Sequence, residues 1–153
     1  MRNEHDGERN TGLRVVLDTN VYIAIFTRPE NAVFQVWTHA VHNHYELIVS
    51  PVIVGEFARV TRRDFHWDEK KVRLHVRVIN KTGTIVVPQT IPDVIIKEDP
   101  ADNHILACAL AGNANLIVSH DLDLLRLKTY DGIGIISPID FLNTLGFGLK
   151  KTA

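Results

Sequence analysis

Four carboxylates stand at positions that ask what keeps them charged. Asp18 ends the apolar, mostly β-branched run Leu13-Arg14-Val15-Val16-Leu17 and precedes Thr19 and Asn20, after which the apolar run resumes. Asp121 lies just past a second such run, Leu116-Ile117-Val118. Asp102 opens a stretch with Ile105, Leu106, Ala109 and Leu110 at helical spacing, and Glu56 interrupts the apolar run Val52 to Val60. The carboxyl ends of strands are where open α/β sheets keep their ligands. A charge held there near a core is costly unless something offsets it. Four acids at one rim repel, and left alone some would hold protons. A divalent cation resolves this, and oxygen-only ligands select magnesium or manganese over zinc or copper. Such clusters hold one or two metals that activate water and steady a phosphodiester transition state.

Each acid also has a plainer reading. An Asp after a strand often caps a helix, and Asp102 and Asp99 are good helix-start residues. Glu98-Asp99 fits a solvated loop, and Asp121 fits a cap on a turn through Leu127. Glu56 can pair with Arg59 on the surface, which is worth little. The joint placement of the four at one sheet edge is what supports a site.

The elements that must position them follow from periodicity. Strands are expected at Leu13–Leu17, Tyr45–Val49, Thr84–Val87, Leu116–Val118 and Ile133–Ile136. Helical segments are expected from Val21 to about Thr27, from Ala32 to Val41 and after Ser50-Pro51. Further ones follow Trp67-Asp68-Glu69 to about Asn80, Asp102 to Gly112, the turn through Leu127, and Ser137-Pro138 to Leu145. Ser-Pro is a capping hydroxyl followed by proline at the first helical position. Ile91 to Lys97 reads as irregular. With no hairpin signature, the alternation of strands and helices predicts a parallel sheet of about five strands in one α/β domain, residues 13–146. Residues 1–12 are expected to be a flexible polar tail with no signal-peptide h-region, and residues 147–153 a C-terminal tail.

The totals exclude several classes. At 153 residues, 45% hydrophobic and 23% charged, the chain is an ordinary globular domain, and its net charge of −1 shows no broad basic surface. The single cysteine, Cys108, permits neither an intramolecular disulfide nor a cysteine-based zinc site and reads as a small buried hydrophobe, in keeping with a cytoplasmic setting. No apolar run approaches the length of a membrane span. His39, His42 and His44 have no acidic or Cys partner nearby in sequence and are not read as a metal site. Trp37 and Trp67 read as core or interface aromatics.

Four blocks resemble, in order and spacing, the PIN domain: Leu17-Asp18-Thr19-Asn20-Val21, Ser50-Pro51-Val52-Ile53-Val54-Gly55-Glu56-Phe57, Asp99 to Ala109, and Val118-Ser119-His120-Asp121-Leu122-Asp123. More narrowly, they resemble the bacterial and archaeal PIN toxins related to VapC ribonucleases of toxin–antitoxin systems. The resemblance spans Leu13 to Gly146. It implies a three-layer α/β/α fold and a Mg²⁺- or Mn²⁺-dependent ribonuclease acting by metal-activated water. It also implies an RNA substrate, a cognate antitoxin and a homodimer. By position, the catalytic and metal-binding acids are Asp18, Glu56, Asp102 and Asp121, supported by Asn20, Ser119 and Asp123. The family's usual Thr-Gly-Asp or Thr-Arg-Asp is here Ser119-His120-Asp121, which keeps the hydroxyl; His120 is read as filling its loop. Arg59, Arg62 and Arg63 begin a basic stretch reaching Lys81, read as phosphate contacts or as an exposed charged helical pair.

Two other enzyme types also place an Asp after a strand. A haloacid-dehalogenase-type phosphotransferase needs a second Asp two positions on, where this chain has Asn20. A response-regulator receiver needs one after the third strand, where this chain has Pro88 and Gln89. A PIN-fold module that binds RNA or protein without catalysis remains as the alternative.

Overall fold

The computed structural model describes residues 10–89 and 102–146, and within them places six strands and seven helices. In chain order these are β1 (Arg14–Leu17), α1 (Thr19–Thr27), α2 (Phe34–Val41), β2 (Glu46–Val49), α3 (Pro51–Phe65), α4 (Glu69–Thr82) and β3 (Thr84–Ile85). Then come α5 (Asp102–Ala111), β4 (Leu116–Val118), α6 (Leu122–Leu127), β5 (Thr129–Tyr130), β6 (Ile133–Ile136) and α7 (Pro138–Leu145). The strands form one sheet in the order β3-β2-β1-β4-β6-β5. Helices flank it as a three-layer α/β/α sandwich.

β1 is central, pairing in parallel with β2 on one side and β4 on the other. Its Val15, Val16 and Leu17 are fully buried, as expected of a parallel strand covered on both faces. α5 packs across β1, β2 and β4; α1 packs on α3, and α3 on α4.

The sheet departs from expectation at one edge. It has six strands rather than about five, and the extra one, β5, runs antiparallel to β6. The link between them is Asp131-Gly132, with φ of 51° and 81°. Left-handed backbone at both central positions is what a two-residue type I′ hairpin requires, and Asp-Gly is its favoured sequence. The strand it introduces is only Thr129–Tyr130, too short to show any alternation. Element ends differ elsewhere by a residue or two. α1 begins at Thr19 rather than Val21, and β3 is shorter than expected, although the Val86 N–H still donates to the Val49 carbonyl at 2.8 Å. Ile91–Lys97 and Glu98–Asp99 lie outside the described residues.

Three helices start as their sequences dictate. Ser50, Asp68 and Ser137 accept from the N–H three residues on, at Ile53 (3.3 Å), Lys71 (2.8 Å) and Asp140 (3.1 Å), and prolines follow Ser50 and Ser137. Gly112, just after α5, sits in a close approach, since a Cβ there would lie 2.5 Å from Ile48 Cγ2, and Asn113 at φ 51° turns the chain out of the helix.

An aromatic cluster fastens α1 and α3 together and reaches α4 through His75, whose ring lies 5.2 Å from Phe26 and 4.6 Å from Trp67. Phe57 is fully buried and meets Tyr22, Phe26 and Trp67 edge-on at centroid distances of 6.4, 5.9 and 5.9 Å. Trp37 meets Phe26 at 5.1 Å, so both tryptophans pack inward. Burial pushes the Tyr22 and Tyr45 hydroxyls well above their ordinary pKa.

Cys108 is fully buried, and burial pushes its thiol up to about 11, partly offset by a hydrogen bond with Ser50. The thiolate is the reactive form. The folded protein is therefore expected to leave Cys108 unmodified by a disulfide reagent at pH 8, and denaturation to release one equivalent of reaction.

Candidate functional site

The order of strands reverses between β1 and β4. β1 connects onward to β2 on one side, and β4 to β6 on the other, so a crevice opens beyond their carboxyl ends. Asp18 sits there, its N–H donating to the Val118 carbonyl at 2.9 Å. It occupies the residue before α1, with extended φ/ψ of −64° and 154°, yet its side chain makes no capping hydrogen bond. Oδ2 instead accepts from Ser119 Oγ at 2.6 Å, and the residue is 6% exposed. The cap reading does not describe Asp18.

Ser119 is fully buried and links two acids. While its hydroxyl donates to Asp18, its oxygen accepts from the Asp121 N–H at 2.8 Å. Asp121 Oδ1 in turn accepts from the Asp123 N–H at 2.8 Å, capping α6. The plainer reading thus holds for one oxygen of Asp121, while the side chain also lines the cavity described next. Asn20 ties the two halves of the crevice, its Oδ1 accepting from the His120 N–H at 3.3 Å.

A cavity of about 890 Å³ opens at this rim, lined by Asp18, Asn20, Glu56 and Asp121 together. α3 starts at the carboxyl end of β2 and buries Ile53, Val54, Phe57, Ala58 and Thr61. That packing turns the flank carrying Glu56 toward the same crevice. The Glu56 carboxylate forms an ion pair with Arg59, one turn on. Asp102 is the first residue of α5, and His104 and Ile105 of that first turn line the cavity.

Other expected residues go elsewhere. The Asp123 carboxylate pairs with Arg126 at 2.6 Å, so Asp123 reaches the site only through its backbone. Arg62 makes two hydrogen bonds to Glu69, at 2.8 and 2.5 Å, and Arg63 two to Asp64, at 2.8 and 3.0 Å. These bonds hold Glu69 and Asp64 below the ordinary carboxylate range. Arg59 alone of the three lines the cavity. His39 and His44 approach at 2.7 Å between Nδ1 atoms before β2, at the opposite end of that strand from Ser50.

Sequence reasoning passed over Arg28 and His104, both cavity-lining. In the sequence Arg28 stands only as the residue before Pro29, outside any charge pattern. His120, read as loop filler, lines the cavity too. Burial, and secondarily the Arg28 charge, lower its imidazole below the ordinary histidine value.

Ser119→Ala removes a donor from one acid and an acceptor from the backbone of another. Residues that orient metal-site carboxylates typically matter 10- to 100-fold. Any divalent-metal affinity of the rim, read by calorimetry, is expected to fall about 30-fold, and Ser119→Thr, which keeps the hydroxyl, should recover most of it.

The sequence profile of the PIN domain matches residues 14–123, a span that contains Asp18, Glu56, Asp102 and Asp121. The chain belongs to the PIN domain family. PIN domains are generally nucleases and generally use divalent metals. Among solved structures, the PIN chain is similar to VapBC2 from Rickettsia felis, bound to a DNA fragment from their promoter. The TM-score is 0.60 at 12% identity, covering 82% of this chain and 98% of that one. It is also similar to PAE2754 from Pyrobaculum aerophilum, with a TM-score of 0.54 at 12% identity, covering 91% and 93%. At such identity both speak for the PIN fold alone. Comparison with curated protein sequences gives no match.

By donor chemistry the PIN rim fits a hard divalent cation, since Asp18, Glu56 and Asp121 offer only carboxylate oxygens. Among the described residues, no three His, Cys, Asp or Glu side chains stand close enough to hold an ion as placed. The Glu56–Arg59 pair is the feature that must open for Glu56 to join such a set.

Proposed function

We propose that this PIN domain is a Mg²⁺- or Mn²⁺-dependent endoribonuclease and the toxin of a toxin–antitoxin pair, acting in the cytoplasm as a homodimer. One observation carries the reading. At the reversal point of the sheet, a buried aspartate forgoes the helix cap its position offers and is oriented by a buried serine toward a cavity it shares with Glu56 and Asp121. The toxin assignment draws support from the fold of the VapBC2 neighbour, and a cognate antitoxin is proposed on the same ground.

In this reading Asp18, Glu56, Asp102 and Asp121 hold the cation. When bound, the ion supplies water activation and neutralises charge developing on the phosphodiester. Ser119 fixes the Asp18 carboxylate and the start of α6 at once. Asn20 locks the β4–α6 loop to α1, so the two halves of the rim keep their spacing. Asp123 closes the α6 cap on Asp121. Burial beside Leu17 and Val118 lowers the local dielectric, which strengthens every charge interaction at the rim.

The non-catalytic reading has its own favouring observation, the Glu56 carboxylate engaged by Arg59. Cleavage of a labelled RNA decides between them. The nuclease reading expects cuts with Mn²⁺ that vanish in EDTA. Uncut RNA that is nonetheless bound with Mn²⁺ present favours the binding module.

A further inference from the structure

Two arginines line the cavity, and they differ in one respect. Arg59 is engaged with Glu56, whereas Arg28 makes no ion pair and no side-chain hydrogen bond among the described residues. Arg62 and Arg63, the other cations near the rim in sequence, are each held by a carboxylate through two hydrogen bonds. A substrate phosphate approaching Arg62 or Arg63 must displace an acid already in place. At Arg28 no acid among the described residues has to be displaced.

The backbone under Arg28 is fixed. Its N–H donates to the Ala24 carbonyl at 3.1 Å, closing α1, and its own carbonyl accepts from the Asn31 N–H at 2.9 Å. Pro29 follows directly and sets the chain's exit from the helix. The guanidinium thus projects from a rigid element, and Arg is the side chain whose fork matches phosphate geometry. Its place along α1 also sets which phosphate it meets. Arg28 follows Asp18 by ten residues, which at the helical rise is about 15 Å along the axis. Arg28 therefore enters the cavity from the end of α1 remote from Asp18, near enough to His120 for its charge to act there.

We propose that Arg28 is a substrate-binding residue that holds a non-scissile phosphate of the RNA, so that the bound strand runs from the acidic rim along α1 rather than along the basic stretch of α3 and α4. This rests on the ribonuclease reading for the identity of the strand. Three consequences follow from the geometry. Arg28 acts on binding and not on the bond being cut. Its contribution carries a one-phosphate electrostatic signature. A substrate too short to reach it gains nothing from it.

The test uses the full chain and a labelled single-stranded oligoribonucleotide. Affinity is read by anisotropy with Ca²⁺ in place of Mn²⁺, and KM and kcat with Mn²⁺. Arg28→Gln is expected to weaken oligonucleotide binding about tenfold, as losing a charged hydrogen bond does. It should reduce the slope of log affinity against log salt by about 0.7, the value for one phosphate on a single strand. KM should rise with kcat within about twofold of wild type, since uniform binding alone is lost. Arg28→Lys should restore the slope, and Lys128→Gln, an exposed charge away from the cavity, should leave it unchanged. A dinucleotide should be cut equally by wild type and Arg28→Gln. An unchanged slope and KM in folded Arg28→Gln overturns the proposal, as does a fall in kcat at constant KM. Wild-type protein that binds RNA in Ca²⁺ yet never cuts it defeats the nuclease reading alone, because the slope still reports on Arg28. Absence of RNA binding by wild type overturns both.

Discussion

Asp18→Asn is expected to lower Mn²⁺-dependent RNA cleavage by about three orders of magnitude, because a metal-held transition state is worth several kcal/mol and each decade of rate is about 1.4 kcal/mol. The substitution is nearly isosteric, and its amide oxygen can still accept from the Ser119 hydroxyl now 2.6 Å from Oδ2. The fold is therefore expected to survive. In EDTA the thermal midpoint should equal or exceed that of wild type, since a buried charge among other acids has been removed. The variant should lose the metal-dependent part of stability as well. A ligand at 100 times its dissociation constant stabilises by about 2.7 kcal/mol, which for a domain of this size is a rise of roughly 5–10 °C. Wild type should show that rise with Mn²⁺ and Asp18→Asn should not. Cleavage by Asp18→Asn at the wild-type rate would remove Asp18 from the chemistry.

The largest effect on stability is expected at Phe57. Its ring is fully buried at the junction of α1, α3 and α4, against Tyr22, Phe26 and Trp67. Truncating a core Phe to Ala loses the transfer free energy and leaves a cavity, about 3–5 kcal/mol together. At roughly 2–4 °C per kcal/mol, the midpoint should fall by about 6–20 °C. Urea unfolding should show a lower midpoint at unchanged slope if the native state stays compact. Phe57→Leu, which fills most of the volume, should cost less than half as much. The same ring anchors the helix that carries Glu56 at the next position, so Phe57→Ala is expected to weaken metal affinity even at temperatures where the protein stays folded. A Phe57→Ala variant with wild-type midpoint would show that the aromatic cluster does not fasten α3.

What could be read from the sequence divides along physical lines. Runs such as Val15-Val16-Leu17 and Leu116-Ile117-Val118 announce buried parallel strands because burial on both faces demands continuous apolar residues. Ser50-Pro51 and Ser137-Pro138 announce helix starts because their hydrogen-bonding is local. The strand ends then place Asp18 and Asp121 at one edge, and the PIN profile spans the same four acidic blocks. The β5–β6 hairpin escaped because its signal is a single dipeptide, Asp131-Gly132, beside a strand of two residues. The role of Ser119 escaped in part because a side chain that donates to residue 18 while accepting from residue 121 is a long-range fact, separated by 101 residues on one side. The pairing of Arg62 with Glu69 is long-range on a smaller scale, since it depends on α4 folding back beside α3. Arg28 escaped for the opposite reason. It is distinguished by the partners it lacks among the described residues, and sequence shows only those a residue could have.

If Asp18, Glu56, Asp102 and Asp121 share a divalent cation, crystals grown with Mn²⁺ and measured for anomalous scattering will show it. A manganese peak is expected in the cavity at the β1–β4 crevice, about 2.1 Å from carboxylate oxygens of the acids, with Arg59 turned away from Glu56. A protein that cuts RNA in Mn²⁺ yet shows no peak at that rim, or binds the ion elsewhere, would contradict it.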